Sequence, residues 1–390
     1  MLKLTKSRIL LSLIVIFGIT IFRFGFADNS IEANQIKQSF LKSFHETGTF
    51  PETLKIGEKN FKPIYTIDYE LEEAILKLLK KYRSDYTSVV VVDNKNGHIL
   101  AALDMGRFDS KPTRLTSFTP SHPAASIFKI VTAADLLENT HVGNTTQFQF
   151  SGRSTTLYKY QLKQEGGRWS RKSDFERAFA KSNNVIFGKA ALDNLSPSGL
   201  KSMAEKFGFN RDLVNFVQAK PSVFPLASDQ YNLAELASGL NVSTMMSPVH
   251  GATIASIIAN KGIMKKPILI KQLADEKGQV VWESSVDQEM VIAPATSDDL
   301  KKMMIATVKE GTARRAFKRS SKKLKDLEIG GKTGSITGGE PFGKRDWFVA
   351  YSKDEEGRGY SLCVMVVNKK KWYVKSSQLT REILDYIWAK

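Results

Sequence analysis

The chain has 390 residues, 42% hydrophobic and 25% charged, the makeup of a globular protein with a sizeable core, which excludes an intrinsically disordered one. Its 57 basic against 40 acidic residues give a net charge of +17, favouring an acidic surface or anionic polymer as neighbour. No nucleic-acid-binding module accompanies that charge, so no nucleic-acid partner is expected. With one cysteine, Cys363, no intramolecular disulfide can form, and the five histidines show no ligand spacing, so neither metal nor cofactor is expected.

Residues 1–8 carry Lys3, Lys6 and Arg8 and read as a cytoplasmic tail ahead of Ile9–Phe22, an uncharged apolar run. Positive residues stay on the cytoplasmic side, so the chain beyond the apolar run is exported. The run is shorter than the roughly 20 residues of a spanning helix and matches a signal-peptide core, with Gly25-x-Ala27 as a cleavage site. Arg23 argues for the other reading, an uncleaved anchor extended by Phe24 and Phe26 with the arginine snorkelling. Either way the expected location is the outer side of the cytoplasmic membrane, and a single N-terminal anchor is favoured. Residues 23–64 are polar and mixed, with no strong period, and are expected to form a short stalk.

From Tyr65 the pattern tightens. Leu71–Tyr82 has helical spacing, and two apolar runs, Ser88–Asp93 and His98–Leu103, flank a turn containing Asn96 and Gly97, which predicts a hairpin. From Ser126 to about Lys325 the chain reads as mainly helical, with helices over Phe175–Ala180, Val185–Leu195, Leu200–Phe207, Leu233–Leu240 and Val249–Asn260 and no persuasive strand. Leu327–Ser335, Asp346–Ser352 and Tyr360–Val367 are strand-like by β-branched and aromatic content, with Cys363 in a buried strand, and Ser377–Trp388 closes as a helix. The fold class is therefore α+β: one antiparallel sheet assembled from both ends of the sequence, covered by an all-helical block.

Within Pro123–Leu137, the residues Ile127, Val131, Ala134 and Leu137 predict a helix buried on one stripe, with Ser126 in its first turn. Lys129, three residues on, lies on the same face, so its amine reaches the Ser126 hydroxyl, and a serine beside a base is a potential nucleophile. Ser-x-x-Lys alone is weak, since Ser39/Lys42, Ser198/Lys201 and Ser320/Lys323 repeat it. Two patterns that do not repeat come later in the chain: Ser182-Asn183-Asn184, in a turn between predicted helices, and Lys332-Thr333-Gly334, opening the returning strands. Helix capping is the plain alternative for Ser182 and Asn184. A basic run from Arg314 to Lys325 precedes the last motif and reads as a solvated loop or as a face for phospholipid or cell-wall polymer.

The three motifs together are those of penicillin-binding proteins and serine β-lactamases. Residues 65–390 resemble the transpeptidase domain of the penicillin-binding proteins, with Asp93–Ala101 similar to the family's first hairpin and Ser247-Pro248, Ile257–Gly262 and Glu310–Ala313 agreeing. The resemblance implies a monofunctional, class B-like member without a long pedestal, acting as a peptidoglycan D,D-transpeptidase through an acyl-serine intermediate. Its implied partners are peptidoglycan stem peptides, β-lactam antibiotics, the membrane through the N-terminal segment, and other cell-wall synthesis proteins. A D,D-carboxypeptidase, a serine β-lactamase, a β-lactam sensor and a non-catalytic scaffold are the alternative roles.

In that reading Ser126 is the nucleophile and Lys129 its base, neutral through burial and the nearby Lys332 cation. The resemblance implies that Ser182 relays the proton to the leaving amine and Asn184 orients Lys129 and the substrate. Lys332 offers a cation to a substrate carboxylate, Thr333 adds a hydroxyl contact, and Gly334 is expected to let a ligand approach the strand backbone. The backbone N–H groups of Ser126 and Ser335 form the implied oxyanion hole.

Overall fold

Both ends of the sequence meet in one five-stranded antiparallel sheet, ordered Glu328–Gly338, Gly343–Lys353, Gly359–Asn368, Tyr86–Asp93, Ile99–Gly106. The computed structural model describes residues 31–163, 170–214, 220–338 and 342–389. The expected tail at 1–8, the apolar run 9–22 and the first part of the expected stalk lie outside the described residues.

Helices cover both faces of the sheet. Its inner strands therefore read as unbroken apolar runs rather than as alternating ones: Val89–Val92, Trp347–Tyr351 and Leu362–Val367 are all buried. Tyr69–Tyr82 and Ser376–Ile387 pack on one face, their Leu71, Ile75, Ile383 and Leu384 joining Val89, Phe348 and Val364 in one core. Across the other face runs Pro248–Ala259, which touches three of the strands and is buried at every residue, a helix apolar all round because it is enclosed all round.

Local chemistry sets the helix ends. Asp68, Asp174, Asp229 and Ser247 each cap a helix by accepting a backbone N–H from the first turn, satisfying a donor that the helix itself leaves open. Pro197 and Pro248 come directly after their capping serines at the first helical position, where a missing N–H costs nothing.

Two expectations are corrected. The segment expected as a stalk is folded onto the body from residue 32 on. In Ala33–Thr47, Ile36, Phe40 and Phe44 lie at four-residue spacing and are buried. The Phe44 ring meets Phe118 edge-on at 5.9 Å. Three residues at four-residue spacing in an otherwise mostly polar helix make a stripe too narrow to register as a strong period, yet each of the three is covered.

Nor is the stretch between the motifs free of strands. Ile270–Ala274 joins Lys59–Tyr65, with Leu54–Ile56 and Val280–Glu283 outside them, in a second, four-stranded sheet. These strands are short and half exposed, and Pro63 sits within one, so neither an apolar run nor clean alternation marks them.

Candidate active site

Ser126 sits in a 3₁₀ turn, Ala125–Phe128, that runs directly into the helix Lys129–Asn139. The predicted single stripe is replaced by burial on nearly every side: all residues from Ile127 to Leu136 are buried, while Leu137 is half exposed. The turn is held from several directions. Trp347 Nε1 donates to the Pro123 carbonyl at 3.0 Å, and the Ala124 N–H donates to Thr244 O at 2.8 Å. Ala125 lies at φ +50°, a left-handed conformation that a non-glycine residue keeps only where its surroundings impose it.

One of those surroundings is Gly239, the left-handed C-cap of Gln230–Ser238. A Cβ at that position would come 2.1 Å from the Ala125 carbonyl oxygen, so only glycine lets this helix end close beneath the nucleophile turn.

The residue before that glycine, Ser238, contributes too. Lys129 Nζ lies 3.0 Å from Ser126 Oγ and 2.7 Å from Asn184 Oδ1, and donates to the Ser238 carbonyl. Its side chain is fully buried. Burial first, and the Lys332 charge second, hold its pKa well below the ordinary lysine value. A neutral amine has two N–H donors and one lone pair. Asn184 Oδ1 and Ser238 O are acceptors only, so they take both donors and leave the lone pair for the Ser126 hydroxyl. The orientation of Asn184 is fixed independently, because its Nδ2 donates to Thr155 O at 2.9 Å, which turns Oδ1 towards Lys129.

Helix capping, the plain alternative for Ser182 and Asn184, falls on the residue between them. Asn183 caps Asn184–Asn194 by accepting from the Ile186 N–H. Asn184 is thereby freed to face Lys129, and Ser182, at φ +57°, faces Lys332. Lys332 Nζ donates to Ser182 Oγ and Thr333 O, both at 2.9 Å. Burial lowers the Lys332 pKa to about 7, so at neutral pH its charge depends on what stands opposite.

Lys332, Thr333, Gly334 and Ser335 lie on Glu328–Gly338, an edge strand of the central sheet, on the side that faces the nucleophile turn. A Cβ on Gly334 would stand 3.1 Å from Ile127 Cγ1 and 3.3 Å from Ala124 O. This glycine therefore allows close contact between the strand and the turn that carries Ser126. Thr333 Oγ1 is 2.6 Å from Thr312 Oγ1, and the exposed Ser335 donates to Asp346 Oδ1 at 3.2 Å.

Of the eight residues singled out in the sequence, Lys129 thus joins Ser126 to Asn184, Lys332 joins Ser182, and Gly334 packs on the Ser126 turn, while the side chains of Thr333 and Ser335 bond to Thr312 and Asp346 instead. The sequence did not reveal Ser238 and Gly239, Thr155, or Asp346. Gly239 falls inside the helix expected over Leu233–Leu240, whereas the helix ends before it, and a backbone carbonyl leaves no mark on residue type. Among the described residues no three His, Cys, Asp or Glu side chains converge to hold a metal ion.

Residues 87–387 match the penicillin binding protein transpeptidase domain. Stage V sporulation protein D of Bacillus subtilis is 27% identical over 278 residues, 65% of this chain and 40% of that protein. Peptidoglycan D,D-transpeptidase PbpA of Mycolicibacterium smegmatis is 22% identical over 312 residues, 69% of this chain and 59% of the relative. The chain thus spans well under two thirds of the length of these relatives. Among solved structures, penicillin binding protein 3 of Mycobacterium tuberculosis complexed with aztreonam superposes with a TM-score of 0.69 at 18% identity, covering 84% of this chain and 78% of that one.

Proposed function

The chain belongs to the penicillin-binding protein transpeptidase family, and from that premise we propose that it is a peptidoglycan D,D-transpeptidase working through an acyl-serine intermediate. The observation that carries the reading is the buried Lys129 amine, both of whose N–H groups are engaged and whose lone pair faces Ser126 Oγ at 3.0 Å. The serine proton passes to Lys129 as Oγ attacks the carbonyl carbon of a D-Ala-D-Ala bond. The oxyanion that forms is met by the backbone N–H groups of Ser126 and Ser335, donors worth roughly 10²–10³ in rate each. Collapse breaks the peptide bond. The departing D-Ala amine takes its proton through Ser182, and the stem peptide stays esterified to Ser126.

An amine of a second stem peptide then attacks that ester, gives up a proton to Lys129, and regenerates the Ser126 hydroxyl. Lys332 and Thr333 meet the terminal carboxylate of the donor, or the equivalent group of a β-lactam. A substrate anion restores the charge that burial takes from Lys332.

Intact-mass spectrometry after penicillin tests this. The expected result is one stoichiometric adduct mapping to the peptide with Ser126, absent in Ser126→Ala, which keeps its fold because the hydroxyl's described hydrogen bond, with Lys129, contributes only about 0.5–1.5 kcal/mol. Label on Ser39, Ser198 or Ser320 would sink the assignment. Sustained nitrocefin hydrolysis in place of a burst would make the protein a β-lactamase. D-Ala release without transfer to an added amine acceptor would make it a carboxypeptidase.

The proposal includes a catalytic domain outside the cytoplasmic membrane, held there by Ile9–Phe22. The basic tail and apolar run of the sequence support this, and a protein that stays with membranes through a carbonate wash would agree with it. Among the described residues no helix is long and apolar enough to span a membrane.

A further inference from the structure

The basic run Arg314–Lys325, which the transpeptidase chemistry leaves unused, folds as two short helices, Arg314–Phe317 and Lys322–Lys325. Phe317 and Leu324 turn inward and are buried, while Arg314, Arg315, Lys318, Arg319, Lys322, Lys323 and Lys325 are all exposed. Beneath these helices and beside the start of the edge strand lies a groove of about 530 Å³, within the size range of small-molecule sites.

Its floor is apolar. Val308, Phe317, Leu324 and Ile329 line it as buried residues, and Ile305 and Leu327 line it with part of their surface still open. Its rim is cationic: Lys309, Arg314, Lys318 and Lys325 surround the opening, with Glu328 the one carboxylate among the lining residues. None of those four cations forms an ion pair with a described residue. Some lysines and arginines elsewhere on the surface do find carboxylates, as Lys266 does with Asp287 and Arg211 with Glu289.

We propose that this groove is a docking site for an anionic phospholipid of the membrane surface, the phosphate held by the rim and the upper part of the acyl chains laid on the apolar floor. Charge complementarity selects the occupant. An uncharged glycan or peptide leaves four like charges unanswered, and a soluble polyanion has no use for the open faces of Ile305 and Leu327. Clustered lysines and arginines at a membrane surface each add to the attraction for acidic headgroups, and an amphiphile answers both halves of the site.

Ile329, on the groove floor, is three residues before Lys332 on the same strand, about 10 Å at the rise of an extended chain. A membrane engaged there would lie beside the catalytic cleft.

The test uses the full chain in a neutral maltoside detergent, titrated with short-chain phosphatidylglycerol below its micelle concentration and followed by amide hydrogen exchange. Phosphatidylglycerol is expected to protect amides in residues 305–329. Phosphatidylcholine of the same chain length, and inorganic phosphate or polyphosphate, should not. The protection should weaken at 0.5 M salt, where screening shortens the reach of surface charge, and fall at least about tenfold in affinity in Lys318→Glu/Lys325→Glu.

Leu327→Asp, which removes apolar floor while keeping the cations, should also abolish it. Lys59→Glu/Lys277→Glu, the same charge change on the second sheet and its turn, should leave it intact. Stoichiometric penicillin acylation of each variant certifies the fold separately from lipid binding. Equal protection by phosphatidylcholine, equal protection by polyphosphate, or no protection by phosphatidylglycerol would each overturn the proposal.

Discussion

Lys129 and Lys332 are the same residue type, both fully buried and both lowered in pKa, yet the proposed mechanism gives them opposite duties. The base must be neutral to act, and the carboxylate anchor must be charged. The profile of kcat/KM against pH in the free enzyme should therefore have two limbs. It should rise on the acidic side as Lys129 sheds its proton, and fall above about pH 7 as Lys332 loses its charge, because that pKa lies near 7. Arginine separates the two, since a guanidinium stays protonated throughout. Lys332→Arg should keep measurable acylation and lose the descending limb. Lys129→Arg should acylate slower by about 10²–10⁴, the usual contribution of a general base, with no ascending limb left. Equal acylation of penicillin by both variants, with unchanged profiles, would show that base and anchor are wrongly assigned. The eight proposed site residues could be named from sequence because they fall in or next to three short motifs whose side-chain types and spacings are distinctive together. The Ser238 carbonyl could not, since every residue has one and only the fold decides which of them meets Lys129.

At the scale of elements, the helix Ala33–Thr47 is where sequence and structure parted. Its buried residues are few, but two of them are phenylalanines, and Phe44 is packed by Phe40, Phe50 and Phe118. Phe44→Ala should cost about 3–5 kcal/mol, the usual effect of deleting a buried aromatic ring, seen as a lower midpoint in chemical denaturation of penicillin-acylating protein. An unchanged midpoint would return residues 33–47 to the status of a stalk. The five central strands and seven of the helices were legible to within a few residues, helped where an element is enclosed, as Pro248–Ala259 and Leu362–Val367 are, or opened by a capping side chain, as Tyr69–Tyr82 and Phe175–Ala180 are. The short strands of the second sheet have neither property. Lys59–Tyr65 buries only Phe61 and Pro63 and owes its existence to a partner, Ile270–Ala274, that lies over 200 residues away, which no local window can see.

Across the whole molecule, one cysteine offers a probe of global opening. Cys363 is fully buried in the central strand of the sheet, and burial raises its thiol pKa well above the ordinary value. Its sulfur lies where a Cβ on Gly251 would come within 2.7 Å, between the sheet and the enclosed helix. Labelling by a thiol reagent should therefore track the rate of global unfolding, as expected for a group exposed only in the open state. Fast labelling of acylation-competent protein would contradict this placement. The order of strands also carries a consequence for how the protein is made. The strand bearing Lys332 reaches the strands of the first hairpin only through Gly343–Lys353 and Gly359–Asn368. A chain leaving the ribosome N-terminus first holds Ser126, Lys129 and Asn184 long before those strands exist, so the strand that carries Lys332 can join the first hairpin only once synthesis has passed residue 368.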